Sequence, residues 1–292
     1  MKPVHFDYAR PRSLDEVLHL LASRPGGAKL IAGGQSLMPM MNFRFAQPEL
    51  LIDINALPEL DYHRREGDFI CIGALTRHAT LRGSALIREL CPLMAEAYQH
   101  VAHVAVRNRG TLCGNLSHAD PASEMPAVML ATEATLVVCG QSGRRQVPAA
   151  DFFQGVYATA LEPDEMLVEV RIPVGQARLG HGFEEVSVRQ GDYALTLTAA
   201  LLGIREGRIE KAVLALAGVA DRAMRLPKLE AGLVGKVPSD ALFAEVGEAA
   251  SLAIIPSEVT QADAVYRRDL IRALVPRALT RAAERAAIQR TV

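Results

Sequence analysis

Residues 109–124 read Arg-Gly-Thr-Leu-Cys-Gly-Asn-Leu-Ser-His-Ala-Asp-Pro-Ala-Ser-Glu, a density of small, hydroxyl and amide side chains that a plain connection rarely needs. Gly110 and Gly114 permit close backbone approach to a bound group, and Thr111, Asn115 and Ser117 supply short donors and acceptors that fit phosphate or ribose oxygens. From the residues alone, this is a turn-rich segment over 109–121 shaped around a polar, phosphorylated ligand. An earlier segment, Ala32-Gly33-Gly34-Gln35-Ser36-Leu37, leaves a short apolar run through a glycine turn. Its backbone N–H groups can form a concave nest, to which Gln35 and Ser36 add side-chain hydrogen bonds. Alone, that turn is equally well read as simple chain reversal, and it is not the G-x-G-x-x-G of a dinucleotide-binding Rossmann unit.

Periodicity places these segments among helices and strands. Ser13 and Glu16 form a capping box ahead of Leu14, Val17, Leu18 and Leu21 at helical spacing, and Pro25-Gly26-Gly27 ends that helix. Strands are expected over 28–32, 50–54, 69–72, 135–139 and 166–172, one long helix over 84–102, and a shorter helix over 126–131. Pro173-Val174-Gly175 is the expected domain boundary, giving domains 1–175 and 176–292. Beyond it, strands are expected over 183–188, 194–204 and 209–217, the last two joined as a hairpin through Arg205-Glu206-Gly207-Arg208. Helices over 239–253 and 262–287 complete an α+β second domain.

With 292 residues the chain exceeds the usual single domain. Its 32 basic and 33 acidic side chains leave a formal charge of -1, so there is no broad positive field to track a nucleic-acid backbone. No apolar run approaches the roughly 20 residues of a membrane span, and His5, Asp7 and Arg10 interrupt the start where an export signal would be apolar, so the expected location is the cytoplasm. Cys71, Cys91, Cys113 and Cys139 lack the paired spacing of zinc or iron-sulfur ligands and read as reduced, buried thiols. His100 and His103 share a helix face at i, i+3 without a third ligand, which leaves them as ordinary histidines. Arg107 and Arg109 can offset phosphate charge but read equally as solvated residues before a turn.

Taken together, the two glycine segments resemble the flavoprotein subunit of the xanthine dehydrogenase and carbon monoxide dehydrogenase family of molybdenum hydroxylases, which pairs A-G-G-x-S with T-x-G-G-N-x-x-x-A-D-P. The resemblance extends to Phe6-Asp7-Tyr8 followed by Arg10-Pro11, to Arg189, Asp192 and Tyr193, and to the overall length. It implies an α+β chain: a two-part FAD-binding domain of the vanillyl-alcohol-oxidase-like (PCMH) type, then a smaller α+β C-terminal domain. It also implies that Ala32, Gly33, Gly34, Gln35, Ser36 and Leu37 line the adenine-diphosphate side of FAD, with Gly110, Thr111, Gly114 and Asn115 around the pyrophosphate. Asp120 and Glu124 fall where the family carries acidic residues near the cofactor, Asp120 alternatively bracing its own turn. Leu167 and Tyr193 match flavin-contact positions, although a buried strand leucine and a core tyrosine would look the same. His118 either touches or braces the cofactor. Cys113 departs from the family glycine, and its thiol is expected to point away from the pyrophosphate with no redox role.

The resemblance further implies partners: a large subunit with the molybdenum cofactor and a small one with two-iron two-sulfur clusters, whose electrons this chain passes through FAD to an external acceptor. No catalytic acid-base residue and no metal ligand is expected in the chain itself. Two alternatives stand beside this: a self-contained flavin oxidase or reductase, and a non-catalytic assembly subunit without FAD, against which the intact glycine segments argue.

Overall fold

The computed structural model describes residues 1–256, 259 and 261–288. Near its start, strands Asp7–Ala9, Leu50–Asp53 and Ala28–Ile31 lie side by side in that order as a small parallel sheet. Parallel neighbours need crossovers, and the first of these is the helix Leu14–Ser23, which buries Val17, Leu18 and Leu21. Ser13 caps it by accepting a hydrogen bond from the Glu16 N–H at 3.2 Å. The reciprocal half of the capping box is offset by one residue, because the Glu16 carboxylate accepts from the N–H of Arg12 at 2.9 Å rather than from that of Ser13.

A second sheet, antiparallel throughout, has the order His63–Glu66, Phe69–Gly73, Met166–Pro173, Thr135–Gly140, Gly143–Pro148. The register between Met166–Pro173 and Thr135–Gly140 slips by one residue at Val168, which is an extra residue in the ladder. The helix expected over 84–102 is two helices, Ala85–Leu90 and Pro92–Ala97, broken at Cys91 (φ -144, ψ 66). Pro92 has no N–H and disfavours helical geometry in the residue before it, so the apolar period runs on where the helix cannot. The chain then turns through Ala102 (φ 47) and restarts as Val104–Arg107 with His103 at its cap, so His100 and His103 do not share a helix face. The segment expected as turns over 109–121 also contains a helix, Leu112–His118. Thr111 caps it, its hydroxyl accepting from the Gly114 N–H at 3.1 Å, and Ala119 ends it at φ 51.

The C-terminal part is a meander of Gly180–Ser187, Ala194–Arg205, Arg208–Ala217 and Met224–Arg225. Glu206 and Gly207 both have positive φ (50 and 77), the conformation that closes a two-residue hairpin with the twist of its strands. Both faces of this sheet are buried. Leu197, Ala199, Val213 and Ala215 join the core of the N-terminal part, while Ala200, Leu202, Leu214 and Leu216 pack on Asp240–Ala253 and Ala264–Ile288. The period of two thus assigns alternate residues to two different cores. A third helix, Pro227–Leu233, completes that layer. No helix among the described residues is long and apolar enough to cross a membrane, and the four cysteines are free and buried.

Gly180 and Gly182 allow the strand to lie directly on the helix Ala264–Ile288: a Cβ at either would overlap a helix carbonyl oxygen, that of Ala282 or Ala278. Because a backbone atom cannot be displaced as a flexible side chain can, Gly182→Ala is expected to destabilise the chain by about 3 kcal/mol, read as a lower urea midpoint with unchanged slope.

Candidate functional site

A cleft of about 1130 Å³ runs between the parallel sheet, the antiparallel sheet and the C-terminal sheet. Ala32, Gly33, Gly34, Gln35, Ser36 and Leu37 form one wall. Gly110, Thr111, Gly114 and Asn115 form the adjoining wall, and Glu124, Leu167 and Tyr193 line it further along. Of the residues that the resemblance assigns to the cofactor, Asp120 alone is not part of the lining, and Arg107 and Arg109 are not part of it either. Asp120 lies beneath the second segment, where its carboxylate accepts from the Ala122 N–H at 2.9 Å and from the Tyr157 hydroxyl at 3.3 Å.

The two glycine segments touch backbone to backbone. A Cβ on Gly33 would overlap the carbonyl oxygen of Arg109 and stand 2.6 Å from Cα of Gly110. Gly34 has φ 69, and the N–H groups of Gly34, Gln35 and Ser36 donate to no acceptor among the described residues. These three residues therefore offer the cleft a run of free donors beside a wall that glycine alone can approach. Not every polar side chain there is equally available. The Gln35 amide donates to the carbonyl of Gly33 at 2.9 Å, the Thr111 hydroxyl is committed to its helix cap, and the Asn115 amide exchanges hydrogen bonds with the Ser123 hydroxyl at 2.8 and 3.1 Å. These groups set the shape of the loops as much as they offer contacts to a ligand.

The remaining lining residues differ in character. Glu124 opens the helix Glu124–Ala131 and is only 4% exposed. Burial, with the Asp120 charge adding, pushes its carboxyl up to about 7. Met166 and Leu167 both line the cleft wall, just ahead of the extra residue at Val168. Tyr193, 49% exposed, turns its open surface to the cleft, with its phenol pushed up to about 12 by burial and then by the Asp120 charge. His118 stacks on Tyr157 with ring centroids 4.8 Å apart, and burial holds its imidazole below the usual value. Cys113 is among the residues that line the cleft but is only 2% exposed and packs into the core, and burial, with the Glu169 charge adding, raises its thiol far from the thiolate. Arg107 donates to the carbonyls of Val101 and Ala102 and so fixes the turn before the loop.

A clamp behind both loops was not apparent in the sequence. The Asn55 amide donates to the carbonyl of Ala32 at 2.8 Å, Arg77 donates to the carbonyl of Arg109, and Arg77 also donates to the Asn55 side-chain oxygen at 2.6 Å. Asp53 orients Asn55 by accepting from its N–H at 2.9 Å and its amide at 2.6 Å, and in turn accepts from the Tyr8 hydroxyl at 2.6 Å. Tyr8 lies in the opening Phe6-Asp7-Tyr8 string, the one trace of this network visible in the sequence; Asn55 and Arg77 stand alone with no spacing to mark them.

Comparison with known proteins agrees with this geometry. The family model described as FAD binding domain in molybdopterin dehydrogenase matches residues 4–175, and that of the CO dehydrogenase flavoprotein C-terminal domain matches residues 181–282. The chain is 40% identical to the caffeine dehydrogenase subunit beta of Pseudomonas sp. (strain CBB1), over 98% of this chain and 97% of that one. It is 39% identical to the carbon monoxide dehydrogenase medium chain of Hydrogenophaga pseudoflava, over 98% of this chain and 100% of that one. Among solved structures, a carbon monoxide dehydrogenase of Hydrogenophaga pseudoflava superposes with a TM-score of 0.94 at 41% identity, covering 98% of this chain and 99% of that one. Quinoline 2-oxidoreductase of Pseudomonas putida 86 superposes with a TM-score of 0.93 at 38% identity, with coverage of 98% and 99%. The chain belongs to the family of FAD-binding medium subunits of molybdenum hydroxylases.

Proposed function

We propose that the chain holds FAD in this cleft, takes electrons from two-iron two-sulfur clusters of a small partner subunit, and releases them to an external acceptor. Substrate oxidation is then the task of the molybdenum cofactor in a large partner subunit. The observation that carries this reading is the contact of Gly33 with Arg109 and Gly110, which joins two loops into one surface with free N–H donors at Gly34, Gln35 and Ser36. At 1130 Å³ the cleft exceeds the roughly 300–1,000 Å³ of most small-ligand pockets, as an extended dinucleotide requires.

FAD supplies the redox chemistry, and the chain binds, orients and shields it. On this reading Ala32 to Leu37 hold the adenine-diphosphate side, and Gly110, Thr111, Gly114 and Asn115 surround the pyrophosphate. Glu124 accepts from a hydroxyl or amine of the cofactor. Leu167 and Tyr193 flank the flat ring, where an apolar side chain and an aromatic face exclude water. Asp120 acts from behind, fixing Ala122 and Tyr157. The proposed division is an FAD-binding domain over 1–175 and a C-terminal domain over 176–292, the second closing one side of the cleft.

Denaturing the purified chain is expected to release FAD in equimolar amount, identified by its absorbance and by chromatography; a folded chain that neither contains nor takes up FAD overturns the reading in favour of an assembly role. Co-expression with the large and small subunits is expected to yield a three-chain assembly in which substrate bleaches iron-sulfur and flavin absorbance together. Bleaching of the isolated chain by substrate supports the self-contained oxidase instead.

Asn55→Ala removes the anchor of Ala32 and a partner of Arg77, a loss of about 2 kcal/mol, so FAD affinity measured by titration of the apoprotein is expected to fall roughly 30-fold. Cys113→Gly is expected to leave that affinity within about twofold, because the residue is buried in the core cluster, while lowering stability by about 1 kcal/mol through the glycine in a helix. A larger loss of affinity than of stability in Cys113→Gly contradicts the placement of the thiol.

A further inference from the structure

His78 opens the helix His78–Gly83, directly after the clamp residue Arg77. The isolated bridge between Arg77 and Thr111 lays this segment along the second glycine loop, and the His78 N–H donates to the carbonyl of Gly110 at 3.0 Å. Its side chain is part of the cleft lining, yet the residue is only 4% exposed. The ring edge that carries Cδ2 and Nε2 lies against Gly110, where a Cβ would stand 3.0 Å from Cδ2 and 3.6 Å from Nε2. On the other side of the ring, Nδ1 is 3.3 Å from the Tyr98 hydroxyl. That is the ring's one hydrogen bond among the described residues, so Nε2 is left without a partner there.

Tyr98 decides which ring nitrogen carries the proton. It follows the helix Pro92–Ala97, is fully buried, and its hydroxyl has no other partner among the described residues. Burial, with the Glu124 charge adding, raises the phenol well above its ordinary value, so the hydroxyl keeps its proton. A proton on Nδ1 of His78 would leave the Tyr98 O–H aimed at no acceptor in a dry core, whereas a bare Nδ1 accepts it. Burial, and after it the Arg107 charge, pushes His78 down to about 4, so the ring is neutral near pH 7. A neutral imidazole whose Nδ1 accepts holds its proton on Nε2, on the side of Gly110.

Gly110 brings closeness to the cleft wall and no donor of its own, because its N–H donates to the carbonyl of Val106 at 2.7 Å. The Leu112 N–H is likewise taken, by the carbonyl of Thr76 at 3.3 Å. The unengaged N–H groups of Gly34, Gln35 and Ser36 all belong to the other loop. His78 supplies, at this point of the second loop, the donor that the glycine cannot.

We propose that His78 is a neutral hydrogen-bond donor to the FAD diphosphate through Nε2–H, and that Tyr98 is the positioning residue that fixes its tautomer. The inference rests on the cofactor reading above and names one contact within it. The diphosphate is a dianion, so an N–H donating to it forms a charge-assisted bond without itself carrying charge. A buried imidazolium in the free protein would be costly, a penalty the neutral ring avoids. The contact is also held in place from behind, by the ring's bond to Tyr98 and by the His78 N–H bond to Gly110.

Two measurements on the full chain test the contact, and the first needs no substitution at His78 itself beyond assignment. In nitrogen NMR spectra of histidine-labelled apoprotein near neutral pH, the His78 signals, identified by their loss in His78→Gln, are expected to show a protonated Nε2 and a bare Nδ1. Saturating FAD or ADP is expected to shift Nε2, and riboflavin, which lacks the phosphates, is not. In Tyr98→Phe the two tautomers are expected to mix. A charged ring, a proton on Nδ1, or an Nε2 unmoved by bound FAD overturns the contact, and an unmixed tautomer in Tyr98→Phe overturns the role of Tyr98.

In titrations of the apoprotein, His78→Leu is expected to weaken FAD and ADP alike by about tenfold and to leave riboflavin unchanged. His78→Gln, whose side-chain N–H reaches a similar point, is expected to recover most of that affinity. Equal losses in the two variants, or a loss that riboflavin shares, assign His78 to structure alone and overturn the contact. Should His78→Leu fold poorly, the wild-type spectra decide. A folded wild-type chain that binds neither FAD nor ADP overturns the cofactor reading and the contact with it, whereas tight FAD binding with an unmoved Nε2 overturns the contact alone.

Discussion

The site depends on one polar clamp. Asn55 and Arg77 belong to different parts of the chain, yet each fixes a carbonyl of one glycine loop and each holds the other. Two loops of this kind, left to themselves, are the parts of a protein most free to open, because they bury few apolar contacts. Joining their carbonyls through a charged guanidinium and an amide gives the pair a single geometry, and burial makes that arrangement costly to leave. Gly33 follows from the clamp: once the backbones are drawn together it has no room for a side chain, whereas a Cβ at Gly110 would press on His78 and the Val106 carbonyl at 3.0 and 3.1 Å. Asp53 and Tyr8 extend the same order to the opening strand, so the parallel sheet and the cleft wall are fixed by one hydrogen-bond chain.

Much of this was legible in the sequence, for physical reasons that can be named. The glycine pairs and the short hydroxyl and amide side chains set two segments apart in the sequence, and thirteen of the fourteen residues chosen on that ground or by resemblance line the cleft, the one the proposed function gives to FAD. The hairpin at Glu206-Gly207 was legible because a charged, glycine-containing turn, Arg205-Glu206-Gly207-Arg208, separates two apolar runs, and not from the left-handed conformation that Glu206 adopts there. What escaped shares a different cause. The helix Leu112–His118 carries a single weak apolar stripe, Leu112, Cys113 and Leu116, under a polar composition that reads as loop. The break at Cys91 lies inside an apolar period that continues on both sides, and Pro92 alone announced it. Asn55 and Arg77 meet across 22 residues through tertiary structure, which no local pattern records.

The C-terminal part is more than an appendage to the cofactor domain. The N–H of Gly218 donates to the carbonyl of Pro121 at 2.8 Å and that of Ala194 to the carbonyl of Ala122 at 3.2 Å, which attaches the end of the second glycine segment to the C-terminal sheet. Arg285 grips Glu96 through both carboxylate oxygens, at 2.6 and 3.0 Å, in the fork geometry that gives a planar guanidinium its directional strength. Tyr193, from the C-terminal side, lines the same cleft as Ser36. The cleft is thus bounded on one side by residues whose positions are set only when both parts have folded.

The two-faced sheet has a consequence for how such chains diversify. Along Ala194–Arg205 and Arg208–Ala217, alternate side chains answer to different cores, so a substitution at Leu197 or Ala215 is judged by the N-terminal part and one a residue away by the helices behind. Two regions that look modular when matched to family models are therefore tied by shared packing, at interior densities where even one methylene is felt. A C-terminal region transplanted from a relative would bring with it one face fitted to its own helices and another fitted to a neighbour left behind. Inheritance as a matched pair, with change in one part answered in the other, is what this sheet imposes.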